Sequence, residues 1–331
     1  MIILLDDAYR QGCGDRFAGH DVRWFPSSIT DPGALAEAMR DAEVVGFRRV
    51  LPFAFSPDMV SHAEGLKFIH RSGSGADWFD MTLLSELGIL VAVNSGFNSP
   101  SVAEHTVVLT LLCLRRTLDF IASMERGEWL RDLPGAPVMM LSGKTVGVIG
   151  VGAIGSKVIR AMTGLGARVL CAQRDDAVTL PEGAQWADID TIVEQADVLT
   201  LHVPLVPETH HMIGAREFAR MKPNAVLINT SRGPVVDQKA LIAALEAGRI
   251  RAAGLDVFED EPLAPDHILR RMPNVITTPH VGGAGIEIIE MQVEGTLSNI
   301  ARYVEGLCPE RLVNPGILSS PALRARHLAR S

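Results

Sequence analysis

Short apolar runs alternate with helical apolar stripes along almost the whole chain. Runs rich in Val, Ile, Leu and Phe occupy residues 2–5, 22–25, 44–47, 68–71 and 91–94. Continuous runs of this length predict strands buried on both faces, as in parallel sheets. Helical patterns lie between them, among them 32–40 and 80–87, so the first hundred residues read as one α/β unit. From Ser101 a longer helical pattern runs to about Met124. Glu104, three residues after Ser101, predicts a capping box, and Gly127, Pro134 and Pro137 end the helix. A second series of strands is led by the run that opens at Lys144 and continues at 167–172, 198–201, 225–229, 252–257 and 275–278. Together these make about six strands, as a full dinucleotide fold requires. The last helical pattern, 287–305, is expected to return to the first unit and make it discontinuous. The arginine- and alanine-rich tail, 322–331, reads as a frayed or crossing terminus.

The strand opening at Lys144 carries the strongest local signal. Val146, Val148 and Ile149 run into G-x-G-x-x-G at Gly150, Gly152 and Gly155, and the stripe Ile154, Val158, Ile159, Met162, Leu165 follows. That strand–turn–helix context turns a common glycine spacing into a dinucleotide fingerprint. Gly150 allows the tight turn, Gly152 lets backbone amides approach a pyrophosphate, and Gly155 lets helix and strand pack closely. The helix N-terminus then offers oriented N–H groups and partial positive charge to the phosphates.

Composition narrows the partners. The length of 331 residues suggests two domains, and the 47% apolar content comes mainly from Ala, Val, Leu and Ile. A formal charge of −8 with no basic stripe argues against nucleic acid or an anionic membrane surface. An anionic small molecule would therefore need local positive groups. Cys13, Cys113, Cys171 and Cys308 are far apart and show neither a disulfide framework nor zinc-ligand spacing. The N-terminal run meets acid at Asp6 and reads as a first strand rather than a signal peptide. The apolar run near 107–114 is too short to span a bilayer, so a cytoplasmic protein without membrane partners is expected.

Three later segments carry candidate chemistry. Each leaves the end of a strand in the second unit: Ser231-Arg232-Gly233, Asp256 to Pro262 with Glu261, and Thr278-Pro279-His280. Strand carboxyl ends face the ligand crevice in such sheets, so an arginine, an acid and a histidine are expected at one edge. No third ligand accompanies the His210-His211 pair, and no metal site is expected.

With the fingerprint, these segments resemble the D-isomer-specific 2-hydroxyacid dehydrogenase family. The likeness covers most of the chain: S-V-A-E-H at 101–105, H-V-P-L-x-P-E-T at 202–209, S-R-G-x-x-V-D at 231–237, D-V-F-E-x-E-P at 256–262 and T-P-H-x-G-G at 278–283. The resemblance implies two doubly wound parallel-sheet α/β domains. A Rossmann nucleotide-binding domain (101–284) would be inserted into a flavodoxin-like substrate domain (1–100 with 285–331). It implies hydride transfer between NAD(P)H and a small 2-keto or D-2-hydroxy acid of the glyoxylate or hydroxypyruvate type. Arg232 would bind the substrate carboxylate, His280 would exchange the proton, and Glu261 would orient the imidazole. Fork-shaped guanidinium suits a carboxylate, and histidine titrates in the useful range. The family pattern sets Ala153, Ile154, His202, Val203, Pro204, Thr209, Thr230, Ser231, Asp256, Gly282 and Gly283 beside the cofactor. It also gives Ser74 and Gly75, in the loop 71–77, to the substrate carboxylate. Arg48 and Arg49 follow a strand and could face the cleft or equally stand as solvated surface charges. A homodimer through the Ser101 helix and the 134–140 segment is implied as well.

One position departs from the simplest pattern. An NAD-preferring fold places an acid about 20 residues after the fingerprint, for the ribose 2′-hydroxyl. Here Gln173 and Arg174 stand at that point, before Asp175 and Asp176. A neutral residue followed by arginine suits a 2′-phosphate, so NADP(H) is expected over NAD(H). Two other functions share the fold: a nucleotide-sensing corepressor-like interaction protein and a formate dehydrogenase. The presence of Arg232, Glu261 and His280 together favours the keto-acid enzyme.

Overall fold

Among the described residues every strand pair in the two sheets is parallel. The computed structural model describes residues 1–48, 51, 55–76, 78–135, 137–172 and 179–330. It divides into two units, one of Met1–Asn98 with Gly285–Ser331 and one of Ser99–Ala284.

The first unit holds β1 (Ile2–Asp6), β2 (Asp21–Phe25), β3 (Val44–Phe47), β4 (Phe68–Arg71) and β5 (Leu90–Val93), in the order β2-β1-β3-β4-β5. This is the flavodoxin-like doubly wound order. The central strand β3 and the edge strand β5 are wholly buried, whereas β2, at the other edge, alternates between exposed and half-buried positions until Phe25. Helices α1 (Arg10–Cys13), α2 (Pro32–Met39), α3 (Pro57–Ser61) and α4 (Met81–Glu86) connect the strands. Asp31 and Asp80 cap α2 and α4 by accepting from Gly33 N and Leu83 N, each cap worth about 1 kcal/mol. One face of the sheet is covered by Leu35, Met39, Met59, Val60 and Leu84. The other is covered by Leu297, Ile300 and Tyr303 of the C-terminal helix Ile286–Val304. Tyr303 stacks on Phe68 with ring centroids 4.9 Å apart.

Through Leu328 the tail packs against the first unit rather than fraying. Leu323, Ala325 and Leu328 are buried on this same face. Arg324 N donates to Gly88 O at 3.0 Å, and its guanidinium donates to the carbonyls of Glu64 and Leu66. An arginine-rich sequence looked polar, but every third or so residue is an apolar group that finds the sheet.

The second unit contains β6 (Thr145–Ile149), β7 (Arg168–Ala172), β8 (Ala184–Trp186), β9 (Val198–Leu201), β10 (Val226–Asn229), β11 (Ala252–Leu255) and β12 (Val275–Thr277). Their order, β12-β11-β10-β9-β6-β7-β8, is the Rossmann order with one strand added beyond the usual six. The sequence reading lacks β8, a three-residue edge strand whose residues are half-buried or exposed. Such a strand has no apolar run to reveal it. Helices α5 (Ser99–Arg115) and α7 (Gly155–Gly164) cover one face, while α8 (Ile189–Gln195), α9 (Ala215–Arg220) and α10 (Gln238–Glu246) cover the other.

The predicted single helix from Ser101 to Met124 is two helices. It breaks at Arg116, which adopts a left-handed φ of 50°, and resumes as α6 (Thr117–Glu125). The capping box is also absent. The helix begins at Ser99, so Ser101 lies inside its first turn, and its hydroxyl donates instead to Gly282 O and Ala284 O. No helix among the described residues is long and apolar enough to cross a membrane.

Candidate active site

The fingerprint turn sits at the carboxyl end of β6, where the strand order of the second sheet reverses between β6 and β9. Gly150 has φ 98°, and a Cβ there would lie 2.4 Å from His202 O. A Cβ on Gly155 would lie 2.0 Å from Gly150 O, so α7 backs directly onto the turn. Gly152 differs: no atom lies within 4 Å of its would-be Cβ. The open space therefore lies over Gly152 and Ala153, both exposed at the start of α7, where first-turn N–H groups have no partner within a helix. A pyrophosphate fits these residues. Ile154 immediately precedes the helix in helical geometry.

On the neighbouring strand, His202 N donates to Ile149 O at 2.7 Å, tying β9 to the turn. Its Nδ1 is enclosed without a hydrogen-bond partner. Burial pushes the imidazole down to about 3, so it is neutral at physiological pH. Val203 and Pro204 follow. Thr209 closes this loop by donating to Pro204 O at 2.6 Å and accepting from Val206 N at 2.9 Å. Gln173, Arg174, Asp175 and Asp176 lie outside the described residues, as does Arg49.

Three further loops leave β10, β11 and β12. Asn229, the last residue of β10, fastens the first: its Oδ1 accepts from Ser231 N and Oγ, and its Nδ2 donates to Arg232 O at 2.9 Å. Thr230 shares a 2.9 Å hydrogen bond with Thr106 of α5. Gly233 then passes so close to the second loop that a Cβ would lie 1.8 Å from Phe258 O. Only glycine permits this approach, which brings Arg232 beside the loop bearing Glu261.

Glu261 accepts from Phe258 N at 3.0 Å through Oε1 and from His280 Nδ1 at 2.7 Å through Oε2. Burial raises its carboxyl, but the His280 hydrogen bond and charge, the Phe258 amide and the Arg232 guanidinium outweigh that and hold it below the usual carboxylate range. Ionised, it can only accept, so His280 Nδ1 carries the proton of that bond. His280 Nε2 is then the ring nitrogen left for proton exchange.

His280 itself has φ 54°, a conformation disfavoured for a side chain with a Cβ. Its N–H donates to Asp256 O at 2.9 Å. The buried Asp256 carboxylate accepts from Thr278 Oγ1 at 2.5 Å, Val281 N at 2.9 Å and Gly282 N at 2.7 Å. Burial raises this carboxyl too, but hydrogen bonds from His105, Thr278, Val281 and Gly282 bring it below its ordinary value. Gly283 continues the loop. Thus Arg232, Glu261 and His280, predicted from three separate strand ends, meet in one place.

Ser74 and Gly75 belong to the five-stranded unit. Ser74 Oγ donates to Asn98 Oδ1 at 2.7 Å and to Asn94 O at 3.2 Å, while Gly75 O accepts from the Arg71 guanidinium. Beneath this loop runs a buried chain of polar groups absent from the sequence reading. Tyr9 OH meets Ser72 Oγ at 2.5 Å, Ser72 meets Thr296 Oγ1 at 3.0 Å, and Asn94 Nδ2 donates to Thr296 at 3.0 Å. The sequence reading also lacks Asn229, whose signal was an amide at a strand end two residues before a serine. His211 is not idle: its Nε2 pairs with Glu259 at 2.8 Å and its ring stacks on His210.

Comparison with known proteins places the chain in a family. Residues 107–282 match the family described as D-isomer specific 2-hydroxyacid dehydrogenase, NAD binding domain. The chain is 36% identical to a glyoxylate reductase of Thermococcus litoralis over 304 residues, 90% of this chain and 91% of that one. It is 38% identical to glyoxylate/hydroxypyruvate reductase B of Enterobacter agglomerans over 248 residues, 74% of this chain and 77% of the relative. Among solved structures, D-lactate dehydrogenase of Aquifex aeolicus, complexed with NAD and lactic acid, superposes with a TM-score of 0.78 at 29% identity, covering 92% of this chain and 96% of that one. Likeness of this extent and level reflects common descent, and the chain belongs to the D-isomer-specific 2-hydroxyacid dehydrogenase family.

Proposed function

We propose that the protein reduces a small 2-keto acid of the glyoxylate or hydroxypyruvate type, with Arg232, Glu261 and His280 as the catalytic residues. The observation that carries this reading is the 2.7 Å bond between His280 Nδ1 and Glu261, beside an arginine whose charge Glu261 feels. A bound nicotinamide would supply the hydride. Arg232 holds the substrate carboxylate in a charge-assisted fork and draws electron density from the adjacent carbonyl. His280 Nε2 delivers the proton to the carbonyl oxygen, and Glu261 stabilises the imidazolium before transfer and holds the neutral ring afterwards through Nδ1–H. The same reading gives the Ser74–Gly75 backbone to the substrate carboxylate. The fingerprint residues, His202–Pro204, Thr209, Thr230, Ser231, Asp256, Gly282 and Gly283 go to the cofactor. A corepressor role would not need the proton-transfer pair, and formate oxidation moves no hydroxyl proton.

We assign NADP(H) as the preferred cofactor on the Gln173-Arg174 pair that follows β7. We also assign a homodimer, because Leu118, Ile121, Met124, Trp129, Leu130, Val138 and Met140 are exposed along one stretch, Trp129 by 78%. That much apolar surface suits burial against a second copy, and Trp129→Glu is expected to shift the sedimentation profile from dimer to monomer. Four free cysteines suit the reducing cytoplasm.

The test is oxidation of NADPH and NADH across a panel of small 2-keto acids. His280→Ala is expected to lower kcat by about 10²–10⁴-fold, while Arg232→Ala raises KM for the acid as well. Equal or higher kcat/KM with NADH would overturn the cofactor preference, and activity on formate alone would overturn the substrate class.

A further inference from the structure

The mechanism above leaves His105 and Ser101 unused, although both belong to a sequence motif. They lie four residues apart on α5, hence on one helix face, and both reach the loop that carries His280. Ser101 Oγ donates to Gly282 O at 2.8 Å and to Ala284 O at 2.6 Å. His105 Nε2 lies 2.9 Å from Thr278 Oγ1 and 3.4 Å from Asp256 Oδ1. We propose that His105, with Ser101, is a positioning residue that fixes the His280 loop through Thr278 and Asp256.

Hydrogen-bond bookkeeping gives the direction of the chain. The ionised Asp256 carboxylate only accepts, so the single Thr278 hydroxyl proton goes to Asp256. Thr278 Oγ1 must then accept from His105, which requires the proton on Nε2. The order is His105 Nε2–H to Thr278 O–H to Asp256. The two Asp256 oxygens in turn grip Val281 N and Gly282 N, the two amides after His280. Thr278 and Val281–Gly282 therefore bracket His280 on both sides. A residue held at φ 54° needs such restraint, because that region is disfavoured for a residue with a Cβ. The helix also packs on β10, β11 and β12, and Thr106 reaches Thr230 at the start of the Arg232 loop. One helix thus sets the loops of both the proton donor and the carboxylate binder.

The inference rests on His280 as the proton-transfer residue, and the experiment separates the two. His105→Phe, His105→Gln, Thr278→Val and the Phe/Val double variant are assayed beside His280→Ala, with thermal melting of each. A misplaced donor slows chemistry without altering binding. His105→Phe is expected to lower kcat about tenfold or more, with keto-acid KM within about twofold. Glutamine, which offers an amide N–H near the place of Nε2, is expected to restore most of the loss. Thr278→Val breaks the same link from its other end, so the double variant is expected to be no slower than the worse single one. Equal losses for Phe and Gln, additive losses in the double variant, or a change confined to KM or cofactor Kd would overturn the proposal. Full activity of His280→Ala would instead overturn the functional reading beneath it.

Discussion

Among the glycine-bearing turns that leave the carboxyl ends of parallel strands in this protein, those after β6 and β4 are held by different means. After β6 the backbone itself dictates the path. Gly150 sits at φ 98°, and Gly155 leaves no room for a Cβ against Gly150 O. After β4 the glycines Gly73 and Gly75 take no left-handed φ, and Gly73 merely makes room for the Arg71 guanidinium, 3.0 Å from its would-be Cβ. Side chains from far along the chain hold that turn instead: Tyr9, Asn94, Asn98 and Thr296. Glycine-bearing sequence at a strand end therefore conceals two designs, one local and one built from long-range hydrogen bonds.

The comparison breaks most visibly at the β6 turn. Gly155→Ala is expected to cost about 1–3 kcal/mol or more, since backbone must move to admit the methyl group. Chemical denaturation would measure it. Gly152→Ala meets no atom within 4 Å, so its melting temperature should match the parent. Its cofactor Kd should nonetheless rise about tenfold, or by roughly 1.4 kcal/mol. A Gly152 variant that lost stability, or kept full affinity, would show that the turn is not open for a ligand.

At the β4 turn a smaller and differently distributed effect is expected. Tyr9→Phe removes a buried partner of Ser72 and should cost about 1–2 kcal/mol. Keto-acid KM should rise a few-fold while cofactor Kd stays unchanged, as titration of cofactor fluorescence would show. Loss of cofactor affinity in this variant would erase the distinction between the turns.

The smallest effect concerns pH. His70 lies in β4, fully buried, with neither ring nitrogen hydrogen-bonded. Burial, with the Arg311 charge adding to it, pushes the imidazole down to about 3. Between that value and the ordinary histidine range the unfolded chain binds a proton that the native chain does not. Stability from this group is therefore complete above the ordinary range and falls as pH drops toward 3. From pH 7.5 to 5.5 the loss should be about 1 kcal/mol, and urea denaturation of His70→Leu should show a correspondingly shallower fall.

The same contrast explains what was legible in the sequence. Buried strands and the fingerprint announce themselves over a few residues, because apolar runs and glycine spacing are local. Arg232, Glu261 and His280 were legible because a known topology sends consecutive strand ends to one edge. The tail misled because its charge masked Leu323, Ala325 and Leu328. The helix break at Arg116 was hidden because a single αL residue needs no glycine. Ser101 misled because a serine followed by glutamate fits a cap as well as a loop clamp, and only Gly282, 181 residues on, decides between them.

The covering of the five-stranded sheet by Leu297, Ile300 and Tyr303 also has a consequence for biosynthesis. A ribosome releases β1 to β5 long before the helix Ile286–Val304 exists, because Ser99–Ala284 must be made in between. At usual elongation rates that interval is on the order of ten to forty seconds. Throughout it, Ile3, Leu5, Phe68 and Leu90 have Tyr9, Cys13 and Phe17 beside them but lack the cover of Leu297, Ile300 and Tyr303. The nascent chain thus holds one partly covered apolar sheet face until the helix Ile286–Val304 emerges, the stage at which a holding chaperone would bind it.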